Sequence, residues 1–227
     1  HDWAHGEQVQ LVSVDQQAKT VRVKRGCYGT QPRAFKAGQA RAAAHSAGTI
    51  VAVEGYMDVI AMHRAGIAET VAPLGTALTT DQLVMLWRIA PEPVLCFDGD
   101  SAGIKAAHRA LDLALPLLLP GHSLRFALLP GGQDPDDLLK TGGPGALKEV
   151  IEKAEPLSDV LWARALEEND RATPERKAQF ERDVEQLLFT IGDQKVRAHY
   201  QDDMRARLQT LFGRAPVAAG RRSYQRR

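Results

Sequence analysis

Between residues 49 and 140 short apolar runs alternate with amphipathic stretches. Residues 50–54, 70–73, 93–97 and 124–129 read as strands, and residues 56–65, 81–90 and 101–115 as helices. Unbroken apolar runs of this length suit strands covered on both faces. Helical stretches between them bring successive strands back in parallel through right-handed crossovers. Local signals agree with this division. Thr79 followed by Gln82 forms a capping box that starts the second helix, and Gly66 stops the first.

The flanks have other periods. Residues 9–14 and 20–24 alternate apolar and polar side chains around a turn at 15–18, which predicts a β-hairpin with its polar face outward. Residues 35–47, rich in Ala, predict a short helix. After Asp134 the alternation ends. Gly142-Gly143-Pro144-Gly145 marks a break, no strand is expected beyond it, and residues 149–153, 157–168, 174–190 and 194–212 read as helices. Thr173-Pro174 supplies an N-cap and a first-turn Pro. Residues 213–227, rich in Arg, Ala and Gly, read as a basic flexible tail. The fold class is α/β: a parallel sheet flanked by helices, then an all-α segment, with a short N-terminal β-hairpin.

Composition narrows the chemistry. Cys27 and Cys96 are the only cysteines, which argues against a disulfide framework and a cysteine-based zinc site. No apolar run approaches the roughly 20 residues that cross a bilayer, and no signal-peptide pattern is seen, so a cytoplasmic protein without membrane contact is expected. The net charge of +1 hides an uneven distribution. Residues 49–140 hold six Lys/Arg against eleven Asp/Glu; residues 1–48 hold seven against three, and residues 214–227 five against none. An acidic centre between basic ends fits a metal site flanked by polyanion-binding surface.

Three acidic pairs stand at the same end of their predicted strands: Glu54 with Asp58, Asp98 with Asp100, and Asp134 with Asp136. Each has a plain structural explanation, since Asp58 suits a first helical turn and Asp100 and Asp134 suit N-caps. Together they should converge. Two unit charges a few Å apart repel by about 1 to 4 kcal/mol at effective dielectrics of 80 to 20. A divalent cation resolves that conflict, and oxygen-only ligands suit Mg²⁺ or Mn²⁺. Gly55, Gly99 and Gly103 would let backbone approach closely there.

The blocks Glu54-Gly55-Tyr56-Met57-Asp58, Ala72-Pro73-Leu74-Gly75-Thr76-Ala77-Leu78-Thr79, Phe97-Asp98-Gly99-Asp100-Ser101-Ala102-Gly103 and Gln133-Asp134-Pro135-Asp136-Asp137 resemble, in order and spacing, the Toprim core of bacterial DnaG-type DNA primases. Val196-Arg197-Ala198-His199-Tyr200 is similar to the family's segment after Toprim. The resemblance implies a nucleotidyl transfer in which a primer 3′-hydroxyl attacks the α-phosphate of a ribonucleoside triphosphate on a single-stranded DNA template. It implies that Glu54 is catalytic, and that Glu54, Asp58, Asp98, Asp100, Asp134 and Asp136 form the Mg²⁺ (or Mn²⁺) site. It divides the chain into residues 1–33 (divergent hairpin segment), 34–141 (Toprim), 142–212 (helical subdomain) and 213–227 (tail). A replicative helicase is the family's partner, and a nucleoid-associated monomer is expected. The family's zinc module and most of its basic subdomain have no counterpart here, so primer synthesis by this chain alone is expected to be weak or absent.

Further side chains have two readings. Arg64, Lys105 and Arg109 are candidates for phosphate contacts at the mouth, the last two also suiting the wet face of a helix. Trp87 and Trp162 suit core packing better than base stacking, His63 and His108 lack metal-ligand spacing, and Cys96 should be inert in a buried strand. A haloacid-dehalogenase-like phosphatase would want Thr or Val where Ala102 stands and has no role for Glu54. A Toprim nuclease would use the same acids, and an inactive scaffold that binds helicase or DNA would use the same fold.

Overall fold

The computed structural model describes residues 8–15, 20–27, 37–73 and 77–213. The chain forms two units, His1–Gln39 and Ala40–Arg227. In the first, β1 (Gln8–Asp15) and β2 (Thr20–Cys27) pair antiparallel with Asp15 opposite Thr20, the hairpin that the alternation predicts. The turn at 16–18, the outward face of the hairpin and the tail from 214 lie outside the described residues and side chains.

The second unit is built on a five-stranded sheet in the order β4-β3-β5-β6-β7. Strands β3 (Val51–Ala52), β4 (Thr70–Val71), β5 (Val94–Phe97) and β6 (Arg125–Leu128) are parallel. Successive strand residues point to opposite faces, and two apolar layers follow. One face, with Ile50, Ala52, Leu95, Phe97 and Phe126, packs against α1 (Ala37–Ala47), α3 (Thr80–Trp87) and α4 (Ser101–Ala114). The other, with Val51, Val53, Val94, Cys96 and Ala127, packs against α2 (Tyr56–Arg64) and α5 (Pro135–Glu152). Every residue of β5 is buried, as its unbroken apolar run requires.

Helix starts match their sequence signals. The Thr79 hydroxyl accepts from the Gln82 N–H at 3.3 Å and the Gln82 side chain accepts from the Thr79 N–H at 2.9 Å. The Thr173 hydroxyl accepts from the Arg176 N–H at the start of α7 (Pro174–Phe189). Helices α6 (Leu157–Glu168) and α8 (Gln194–Phe212) complete the chain at the expected positions. Their buried residues Leu157, Leu161, Phe180, Val184, Leu188 and Met204 belong to the same apolar cluster as Leu95, Phe97 and Leu111 of the sheet and α4. Trp162 meets Phe180 with ring centroids 5.8 Å apart, and Trp87 Nε1–H donates to the Ser123 carbonyl at 2.8 Å, so both tryptophans serve packing.

One expectation is corrected. A strand does follow Asp134: β7 (Glu155–Pro156) pairs antiparallel with β6 at the sheet edge. Its two residues are exposed and carry no apolar pattern, so nothing local announces it. Tertiary contacts hold it, since the Arg125 guanidinium donates to the carbonyls of Glu152 and Ala154 beside it. The break expected at residues 142–145 is found: two helical stretches of α5 meet there at a kink, with Gly143 non-helical (φ 71°, ψ −178°) just before Pro144, which has no N–H to return to the helical ladder.

Candidate metal centre

Strand order places the site. From β3 the chain crosses to β4 on one side, then returns to place β5 on the other side of β3. That reversal opens a crevice beyond the carboxyl ends of β3 and β5, the location where α/β sheets bind ligands. Glu54 stands two residues past β3 and Asp98 directly past β5. Glu54 Oε1 accepts from the Asp98 N–H at 3.4 Å, so the Glu54 carboxylate reaches across the reversal to the end of β5. The end of β6 is tied in by the Gly99 N–H, which donates to the Gln133 carbonyl at 3.1 Å, next to Asp134.

Two glycines are required by this close packing. A Cβ on Gly99 would stand 1.9 Å from the Leu129 carbonyl oxygen, and one on Gly103 would stand 2.1 Å from that of Asp98. Backbone occupies both spaces, so no side chain fits. The expectation for Gly55 is weaker, because its Cβ would meet only the carboxylate end of the Asp58 side chain, at 3.3 Å.

The helix-cap explanations of the individual acids also hold. Asp58, in the first turn of α2, accepts from the Gly55 N–H at 2.8 Å. Asp100 caps α4, accepting from Ala102 and Gly103 N–H at 2.9 and 2.8 Å. Asp134 caps α5, accepting from the Asp137 N–H at 2.7 Å. Capping and convergence coexist, because helices that start beyond parallel strands all begin at the same rim. Burial, then Glu54, Asp58, Asp134 and Asp100 in that order, pushes the Asp98 carboxyl up to about 6. Burial also raises Asp58, opposed by its bond from Gly55 and reinforced by Asp134, Glu54 and Asp136. The six acids therefore share one electrostatic neighbourhood.

Asp136 differs from its neighbours. Its side chain is 14% exposed and ion-paired with Lys140 Nζ at 2.5 Å and Arg64 Nη1 at 3.6 Å. Its Oδ1 is buried without a hydrogen bond. Arg64, expected at phosphate, thus lies against an acid of the centre. Sequence reasoning misses Lys140, although its position one helical turn after Asp136 is a usable signal. Arg109 lines a cavity of about 340 Å³ together with Glu54, Leu78 and Phe97, and Lys105 is exposed one turn earlier on α4. Cys96 is buried behind the acids; burial and then the charges of Asp58, Asp98 and Glu54 push its thiol up to about 12, which leaves it un-ionised and unreactive. Burial shifts His63 downward, opposed by the charge of Glu69 and a hydrogen bond with the Ala68 backbone.

Among the described residues no three Asp, Glu, His or Cys side chains are arranged to hold a metal ion together. The donor set nonetheless fits a hard divalent cation in its chemistry. It is all carboxylate oxygen, it is mutually repulsive, and it includes one buried oxygen with no hydrogen-bond donor. The acids' contacts to backbone N–H engage one oxygen each at Asp58, Asp100 and Asp134. Among the described residues, no helix is long and apolar enough to cross a membrane.

Known proteins resemble this chain in sequence and in fold. Residues 48–127 match the family model for the Toprim domain. A DNA primase of Rickettsia typhi is 41% identical over 150 residues, which are 66% of this chain and 25% of that protein. The solved catalytic core of E. coli primase superposes with a TM-score of 0.66 at 32% identity, over 82% of this chain and 61% of that one. A DnaG primase catalytic domain solved bound to ssDNA gives 0.64 at 36% identity, over 70% and 51%. The chain thus spans about a quarter of the length of the Rickettsia relative. In sequence and in fold, residues 48–127 are similar to Toprim domains, and the chain is similar to part of the catalytic core of DnaG-type DNA primases.

Proposed function

We propose that this chain carries the metal-dependent nucleotidyl-transfer centre of a DNA primase, which makes short RNA primers on single-stranded DNA. What supports this reading is that Asp98 and Asp58, beyond the carboxyl ends of the strands, feel the charges of Glu54, Asp100, Asp134 and Asp136, with Glu54 hydrogen-bonded to the Asp98 N–H. Those six residues would hold Mg²⁺ or Mn²⁺. Such an ion, when bound, lowers the pKa of a hydroxyl and neutralises charge on a phosphate leaving group.

The protein's own groups do the rest. Glu54 and Asp98, linked across the sheet reversal, stand nearest the point where the strands diverge, and we assign Glu54 the catalytic role. Asp58, Asp100 and Asp134 are fixed by their helix-cap bonds, so the centre is preorganised by the same contacts that start α2, α4 and α5. The primer's 3′-oxygen forms the new bond to the α-phosphorus of a ribonucleoside triphosphate, and pyrophosphate leaves. Arg109, in the cavity beside Glu54, and Lys105 would meet phosphates from the α4 side.

The similarity to a primase catalytic domain solved with ssDNA supports single-stranded DNA as template. Ribonucleoside triphosphates, the RNA primer and a replicative helicase are the remaining partners in this reading, and a cytoplasmic, nucleoid-associated monomer is its setting. Residues 34–141 serve as the metal-binding domain, with residues 142–212 as a helical subdomain that shares its core.

Two measurements test the proposal. Titration with Mn²⁺ should show binding that Glu54→Gln and Asp98→Asn each abolish. Labelled ribonucleotides should enter a product only with template and divalent metal, run beside a nicking assay. Mn²⁺ binding that survives both substitutions, or nicking without template-dependent incorporation, overturns the reading.

A further inference from the structure

We propose that Lys140, assisted by Arg64, is the built-in counter-ion of Asp136 and competes there with the divalent cation, so that these two side chains set how tightly the centre holds metal. This rests on the metal-centre reading above. Three observations lead to it. Lys140 stands one turn after Asp136 on α5 and reaches Oδ2 at 2.5 Å, while Arg64, the last residue of α2, approaches Oδ1 at 3.6 Å. Asp58, Asp100 and Asp134 instead accept from neutral backbone N–H groups. Finally, Oδ1 of Asp136 is buried and lacks a hydrogen bond, so the guanidinium compensates its charge without filling its lone pairs.

A backbone donor and a cationic side chain act differently on an arriving metal. The N–H groups engage one carboxylate oxygen and carry no net charge. Lys140 and Arg64 each carry a full positive charge that repels a divalent ion. Both are displaceable, since their side chains are 58% and 40% exposed and ion pairs of exposed side chains are weak. Asp136, at 14% exposure, cannot retreat into water. The expected arrangement is an exchange. The two cations neutralise Asp136 while metal is absent and swing outward when the ion arrives. A unit charge about 5 Å from a divalent ion in a water-like dielectric lowers its affinity by roughly tenfold.

Calorimetric titration of the chain with Mn²⁺ tests this, using wild type, Lys140→Met, Lys140→Arg, Arg64→Gln and Asp136→Asn. Lys140→Met should bind Mn²⁺ roughly five- to tenfold more tightly, Arg64→Gln should shift the same way by less, and Lys140→Arg should restore the wild-type constant. In the Asp136→Asn background the gain from Lys140→Met should shrink. A rise in affinity is an effect that loss of structure does not produce. Wild-type binding with unchanged or weaker affinity in both Lys140→Met and Arg64→Gln would overturn the competition while leaving the metal centre intact. Absence of any Mn²⁺ binding by wild type would overturn both.

Discussion

The rim of the sheet and the helical layer beneath it treat charge in opposite ways. In the helical layer guanidinium groups bridge pairs of acids. Arg164 joins Asp112 of α4 to Glu168 of its own helix, and Arg207 of α8 joins Asp159 of α6 to Asp203. These pairs connect elements across the outer face of the apolar cluster. At the rim Asp98 lies in the field of Glu54, Asp58, Asp134 and Asp100, Lys140 and Arg64 are ion-paired with Asp136, and burial with mutual repulsion raises Asp98 to about 6. A protein under selection for stability alone has no reason to keep such a rim, because strain of this kind marks sites whose ligand supplies the missing charge.

The largest expected difference between the two regions is in metal affinity. Glu54→Gln or Asp98→Asn should each abolish the Mn²⁺ binding read by calorimetry, while the folded chain keeps its circular-dichroism spectrum. Truncation in the helical layer should do the reverse. Phe180→Ala removes a fully buried ring and should cost about 3 to 5 kcal/mol in denaturant unfolding, with the Mn²⁺ affinity of the remaining folded protein unchanged.

Smaller effects sharpen the contrast. Arg207→Met separates Asp159 from Asp203 at a partly exposed site and should cost about 1 kcal/mol or less by the same unfolding measurement. Acid should act on the rim with the opposite sign. Because folding raises the Asp98 carboxyl from 3.8 to about 6, the folded state binds its proton more tightly than the unfolded chain does. This group therefore destabilises the metal-free protein in full above about pH 6, and the penalty fades as pH falls toward 3.8. Metal-free wild type should gain more thermal stability than Asp98→Asn on moving from about pH 7.5 to about pH 5, and an equal gain in the two would refute the assignment.

Much of the molecule is legible in its residues. Buried strands announce themselves as apolar runs, and caps such as Thr79-x-x-Gln82 and Thr173-Pro174 act within four residues. The helices and parallel strands accordingly fall where local patterning puts them, with ends shifted by a few residues. The six acids are legible through their common position after strands, which holds in any parallel sheet. Edge strand β7 is not, since two exposed residues have no periodicity and exist as a strand through pairing with β6 and the Arg125 bonds. The kink at Gly143 reads as a break because Gly and Pro signal interruption without saying whether the chain resumes its helix.

By itself, then, the order of residues determined the alternating architecture, the helix starts and the presence of acids at one rim, since all three depend on contacts between near neighbours in the chain. Only the tertiary structure decided which acids oppose each other, that backbone closes on Gly99 and Gly103, and that Arg64 and Lys140 converge on Asp136 rather than on solvent. Those outcomes depend on the strand order β4-β3-β5-β6 and on the packing of α2 beside α5. Through-space distances between side chains far apart in the chain are set by how the layers close, and local pattern carries no record of them.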